Sequence, residues 1–378
     1  MTRVTSDVSN HSTPAEATAP ELSALLVAGK FEVRGSSAYT LRLAELLPNL
    51  GIKTRLYCRD ATVIEPARRD ALGIRELTQM HTPVLGRLML ESARRELARQ
   101  PPDLVHIQSW SAYSYGAWLA RRLGRPFILS VHHSPPSGRI RFDRTWGRKI
   151  IAVSEALQSE IIARAPELAD LVTVIHSGVE EPSDVPPTPV LEAGHVPVIG
   201  SAGPLETDKG IPYLLGAAQR VLAREPKVEF LIAGAGPEEG NLRRLARELG
   251  IDLSITFISS LPNFSASLAA MDIFCLPSLK QGLGTIMLQA MSLGRPVIAT
   301  GVGGVYSVIR DNETGLVVPP ADSARLADRI LELLQDPIRA RKLGAAGRQL
   351  VRDEFGVRAM LESTAALYRE VVESAHAR

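Results

Sequence analysis

One stretch restricts the fold of this chain more than any other: Cys275 to Thr300, CLPSLKQGLGTIMLQAMSLGRPVIAT. A short apolar run ends at Leu276-Pro277, and Gln281-Gly282-Leu283-Gly284-Thr285 forms a loop. Helical spacing follows from Ile286 to Leu293, with Ile286, Met287, Ala290 and Leu293 as its apolar stripe. Gly294 stands where a helix terminates in the left-handed conformation, and Arg295-Pro296 leads into the β-branched run Val297-Ile298-Ala299. Strand, loop, helix, turn and strand in this order make a parallel βαβ unit. A Gly-Leu-Gly-Thr turn opening a helix leaves backbone N–H groups free, and such a turn can hold a phosphate.

The same alternation runs through the chain. Leu22 to Ala28 is an apolar strand; the turn at Gly35-Ser36-Ser37 starts a helix with Leu41, Leu43, Leu46 and Leu47; Ile52 to Cys58 is the next strand. Residues 66–100 are Arg-rich and helical by pattern. Strands follow at Asp103 to Gln108, at Arg125 to His133 and at Lys149 to Val153, with Ser154 capping a helix. After the strand Val172 to His176, the Pro- and acid-rich run EEPSDVPPTPVLEAGH reads as a linker. A second α/β unit opens at Pro197, with strands at Val228 to Ala233 and from Ile255, and ends with a long helix from Asp322 and a terminal helix through Tyr368. The predicted organisation is a tail at 1–20, an α/β domain at 21–182, a linker at 183–195, a second α/β domain at 196–355 and a helix at 356–378 crossing back to the first.

Composition bears on compartment and partners. At 378 residues the chain can hold two cores, and 45% hydrophobic with 22% charged residues is an ordinary globular profile. Cys58 and Cys275 lie in separate apolar runs, which favours buried free thiols and a reducing cytoplasm. The opening MTRVTSDVSNHSTPAEATAP lacks an apolar h-region and reads as disordered, and no run reaches the ~18 apolar residues of a membrane span. The net charge of +2 hides an asymmetry: Arg34 to Lys149 holds 20 Lys/Arg against 9 Asp/Glu. A solvated surface explains that excess as well as attraction to an anionic membrane or a phosphorylated acceptor does. No nucleic-acid-binding motif accompanies it.

The central stretch resembles the signature of the retaining nucleotide-sugar glycosyltransferases called family 4 or group 1, E-G-x-G-x-x-x-L-E-A-M-A-x-G-x-P-V-V. Gly282, Gly284, Leu288, Ala290, Met291, Gly294, Pro296 and Val297 match, while Gln281 and Gln289 stand where the family has glutamates. In GPLETDKG, Gly203, Leu205, Lys209 and Gly210 match the family's G-R-L-x-x-x-K-G, and Pro204 replaces its arginine. The resemblance implies a GT-B architecture: α/β, with two Rossmann-like doubly wound domains facing across a cleft. Transfer would retain configuration, without metal or other cofactor, from a UDP-sugar or GDP-sugar co-substrate to a glycan, lipid-linked or phosphorylated acceptor. It assigns His132, Lys209 and Gln281 to catalysis, and Gly35, Ser36, Gly236, Ile258, Leu283, Gly284, Thr285 and Gln289 to the donor. Location would be cytoplasmic, with peripheral contact at an anionic membrane.

Alternatives stay open at this point. His132-His133 could be a metal half-site or a turn, although no third and fourth ligand are spaced nearby. Gln281 and Gln289, eight residues apart, would be separated by about 12 Å along a helix, so one ligand touching both must be long. They could also be ordinary helix-surface residues. With three altered polar positions, the chain could be a binding or regulatory pseudo-enzyme, or another enzyme of this architecture such as an epimerase or phosphorylase.

Overall fold

The computed structural model describes residues 22–31, 36–79, 82, 84–136, 138–180, 188–259, 264–280 and 283–376, with Ser36 and His376 as backbone only. The tail at 1–20, part of the linker, Gly35, Gln281 and Gly282 lie outside the described residues.

Two parallel sheets organise the chain. The first contains β1 (Leu22–Lys30), β2 (Ile52–Asp60), β3 (Arg75–Glu76), β4 (Leu104–Ile107), β5 (Phe127–Val131), β6 (Gly147–Ala152) and β7 (Val172–Val174), in the order β3-β2-β1-β4-β5-β6-β7. The second contains β8 (Val198–Ala202), β9 (Glu229–Ala233), β10 (Ile255–Ile258), β11 (Ile273–Leu276), β12 (Val297–Thr300) and β13 (Leu316–Val318), in the order β10-β9-β8-β11-β12-β13. In each sheet the chain moves outward through three strands and then returns to the other side of the first. That reversal leaves a crevice at the carboxyl ends of β1 and β4, and another at those of β8 and β11.

Helices cover both faces of each sheet, so the strands are buried on both sides and read as continuous apolar runs. In β5 every residue of FILSV is buried. The two faces of the first sheet hold separate cores, one built on Leu25, Val105 and Leu129, the other on Leu26, Leu104 and Ile128. The terminal helix Val357–His376 adds Met360, Leu361, Tyr368 and Val371 to the second of these. Immediately before it, Val179 N–H donates to Phe355 O at 2.8 Å, and Phe355 packs in the core that holds Met287, Leu288 and Met291.

Three local readings need correction. Residues 66–100 are not continuously helical: a short helix Pro66–Ala71 precedes the two-residue edge strand β3 and the helix Leu85–Arg99. A two-residue strand is too short to show periodicity. The long helix after Asp322 is two helices, Ser323–Gln335 and Pro337–Leu350. Pro337 has no N–H to continue the first, and Asp336 caps the second by accepting from Arg339 N–H at 2.9 Å. Finally, the helix Thr285–Ser292 buries Met287, Leu288, Ala290 and Met291, a stripe rotated from the one the spacing suggested. Ser154 and Gly294 behave as read: the Ser154 hydroxyl accepts from Leu157 N–H, and Gly294 has φ 72°. Both cysteines are free and buried. Among the described residues, no helix is long and apolar enough to cross a membrane.

Candidate active site

A cavity of about 230 Å³ opens at the carboxyl ends of β8, β9 and β11, where the strand order of the second sheet reverses. Ser201 to Leu205 form one wall, Lys209 and Ile211 another, and Ser278 with Gly284, Thr285 and Ile286 a third. Lys209 is its one cation among the described residues. The Lys209 ammonium lies 3.2 Å from Asp208 Oδ2, a half-exposed neighbour that an arriving anion can replace.

Two glycines hold the walls together. Gly210 has φ 63°, and a Cβ there would sit 2.0 Å from Pro277 O, so only glycine lets the two loops meet. Leu279 N–H donates to Asp208 O at 2.7 Å across the same seam. Gly234, φ +151°, similarly lets the turn after β9 approach Gly203 O, which a Cβ would meet at 1.8 Å. Helices start at both loops, Ile211–Leu222 after Gly210 and Thr285–Ser292 after Gly284, and neither has a side-chain cap. Their first N–H groups therefore remain available where Ile211, Thr285 and Ile286 line the cavity.

The fold thus brings together Lys209, Gly284 and Thr285, and Pro204 lines the same cavity. Gly236 stands just outside, its backbone against Leu205, and Ile258 O accepts from Gly234 N–H at 2.8 Å. Leu283 packs on the core beneath the helix. Gln289 is half-buried one turn further along; its side-chain amide makes no hydrogen bond among the described residues and does not reach the cavity wall. Ser201 and Ser278, both buried, line the cavity without having been singled out by sequence. Their only signal was a polar residue at the end of an apolar strand.

His132 belongs to the first sheet, directly after β5. Its ring meets Tyr39 edge-on, with centroids 4.7 Å apart. Burial, then the neighbouring His133, pushes its pKa down to about 3, so the ring is neutral near pH 7. Nε2 is buried without a hydrogen-bond partner. Ser36 opens the helix Ser36–Leu46 that carries Tyr39.

The chain matches the family described as Glycosyl transferases group 1 over residues 189–350 and that described as Glycosyltransferase Family 4 over residues 33–181. It belongs to the group 1, family 4 glycosyltransferases, and its two doubly wound sheets are their GT-B fold. Among curated relatives, alpha-maltose-1-phosphate synthase of Mycolicibacterium smegmatis is 26% identical over 308 residues, 71% of this chain and 79% of that one. D-inositol 3-phosphate glycosyltransferase of Nocardia farcinica is 28% identical over 365 residues, 84% of this chain and 80% of that one. The solved structure of Anabaena HepE in complex with UDP superposes with a TM-score of 0.71 at 19% identity, covering 92% of this chain and 100% of HepE.

Proposed function

We propose that this chain is a retaining glycosyltransferase that takes its sugar from a nucleoside diphosphate donor held at the second sheet. The cavity at the reversal of that sheet carries the reading, with one lysine and two uncapped helix starts converging on it. A diphosphate there would accept from the N–H groups around Thr285 and draw Lys209 away from Asp208. The base would extend toward Gly236 and Ile258, and the ribose toward Gln289. Lys209 and the helix N-termini stabilise the negative charge that grows on the leaving diphosphate, which is work done in the transition state. On this reading no divalent ion is required. The departing phosphate takes the proton of the acceptor hydroxyl as the new bond forms on the same face, and the neutral His132 serves the sugar. HepE, which shares this fold, was solved in complex with UDP, and this supports a nucleotide as the ligand.

The acceptor is proposed to be phosphorylated or lipid-linked. Arg144 and Lys149 of the basic first domain are already paired, with Asp170 at 2.8 Å and Glu370 at 3.2 Å. Recruitment to an anionic membrane from the cytoplasm therefore rests on the other cations of that half. Equal sedimentation with anionic and neutral vesicles would count against it.

Pro204 favours a second reading, a nucleotide-binding protein with lapsed catalysis, because it puts an apolar ring where the family carries a transition-state cation. Incubation with UDP- and GDP-sugars and a panel of sugar and inositol phosphates separates the two. Nucleotide release that survives EDTA, with NMR of the product showing the donor's anomeric configuration, supports the enzyme. Tight nucleotide binding without release under any pairing supports the lapsed form.

A further inference from the structure

Behind His132 the first sheet buries a string of polar side chains for which the proposed chemistry has no use. Strand alternation puts Ser130 and His132 of the β5 segment and His106 of β4 on one face, the face covered by Ser36–Leu46 and the terminal helix. His106 is fully buried: its Nδ1 is 2.5 Å from Tyr368 Oη, and its Nε2 is 2.8 Å from Ser130 Oγ. Burial, then the nearby His132, holds His106 at about 3, so its ring is neutral and offers one donor and one acceptor nitrogen. Tyr39 Oη makes no hydrogen bond of ordinary length. Burial raises the Tyr39 pKa, and the Ser130 and Thr364 hydroxyls offset part of that rise. Tyr39 in turn supports the His132 ring.

This string has a direction. If Tyr368 O–H donates to Nδ1, then Nε2–H donates to Ser130; reversing the first bond reverses the second. Its far end rides on the terminal helix, which supplies both Thr364 and Tyr368 and begins beside Phe355. Phe355 packs in one core with Met287, Leu288 and Met291 of the helix that borders the second-sheet cavity. We propose that Tyr39, Ser130, His106 and Tyr368 are positioning residues for His132, setting its ring according to how the terminal helix is seated. The sugar-facing role of His132 rests on the function proposed above; the coupling itself does not.

The test uses full-length protein carrying 13C,15N-labelled histidine, with the His132 and His106 ring signals assigned through His132→Gln. Tyr368→Phe keeps the ring and removes only the hydroxyl, so His106 is expected to change its ring 15N pattern and the His132 13Cε1–1Hε1 signal to move. Ser130→Ala should move the His132 signal as well. Tyr57→Phe, which loses a bond to Glu96 on another part of the sheet, should leave both histidines unchanged. Thermal melts identify folded variants, and Ser130→Ala decides alone if Tyr368→Phe does not fold. A His132 signal unmoved in the folded variants overturns the proposal, as does an equal movement in Tyr57→Phe. None of these readouts needs turnover. Absence of nucleotide binding would therefore remove the function proposed above and leave the coupling to be judged on its spectra.

Discussion

On the proposed function, Lys209, Gln289 and the buried histidines are where single side chains bear most on the chemistry. Lys209 lines a cavity walled largely by apolar and backbone groups, and a hydrogen bond from it to a bound anion would contribute about 1.5–3 kcal/mol. Lys209→Ala should weaken UDP or GDP binding by roughly ten- to a hundredfold in calorimetric titration. Gln289→Glu should strengthen it about fivefold, since a carboxylate accepts from ribose hydroxyls by roughly 1 kcal/mol more than an amide does. An unchanged affinity in both variants would take the nucleotide away from this cavity. His106 and His132 bear on stability. Burial pushes both down to about 3 from the ordinary 6.5, so below 6.5 the unfolded chain binds more protons than the folded one. Stability is then full above the unfolded value and falls as pH drops toward the folded one, by up to about 1.4 kcal/mol per pH unit for each histidine. Urea melts between pH 7 and 4 measure this, and His106→Gln should flatten the slope if it folds. At this scale the cavity was legible because Lys209, Gly284 and Thr285 sit in loops that end strands and start helices. The string behind His132 was not: His106 showed only as a polar residue within an apolar run, and its partner Tyr368 lies 262 positions away.

Loops and helices decide whether those residues meet. The seam at Gly210 joins the two cavity loops, so Gly210→Ala combines a left-handed backbone with a clash against Pro277 O. A loss of roughly 2–4 kcal/mol in denaturant unfolding is expected, along with lost nucleotide binding. A neutral result would mean that the loops need not touch. The terminal helix is equally structural. Val371 is 1% exposed in the core of the first sheet, and Val371→Asp should cost more than about 3 kcal/mol, whereas the same change at an exposed helix position should cost little. Elements this regular were readable from periodicity and caps, as Ser154 shows. Those that escaped were the ones where a local rule was overruled: β3 forms because β2 offers an edge, and Pro337 divides a helix whose apolar pattern continues through it.

Two sheets with the same doubly wound order give the molecule two crevices, and the proposed function divides its work between them. The crevice of the second sheet has the lysine and helix starts that suit a diphosphate; beside the first, His132 is neutral, packed on Tyr39 next to buried polar side chains. The chain crosses back between the two sheets: Leu350, Val351 and Phe355 pack in the core of the second sheet, and the terminal helix that follows packs in that of the first. Such an arrangement makes sense for a reaction whose donor and acceptor come from different domains, and it was foreseeable once the strand–helix alternation appeared twice. Which walls Pro204 and Gln289 would line was not foreseeable, because strand and loop spacing do not say which side chains face the cavity. Calorimetric titration of the wild-type protein with UDP and GDP, with Lys209→Ala beside it, tests the central claim most directly. Binding of one nucleotide at a single site with micromolar affinity, weakened at least tenfold in Lys209→Ala, is the predicted result. No binding of either nucleotide to the wild-type protein, or binding indifferent to Lys209, would contradict it.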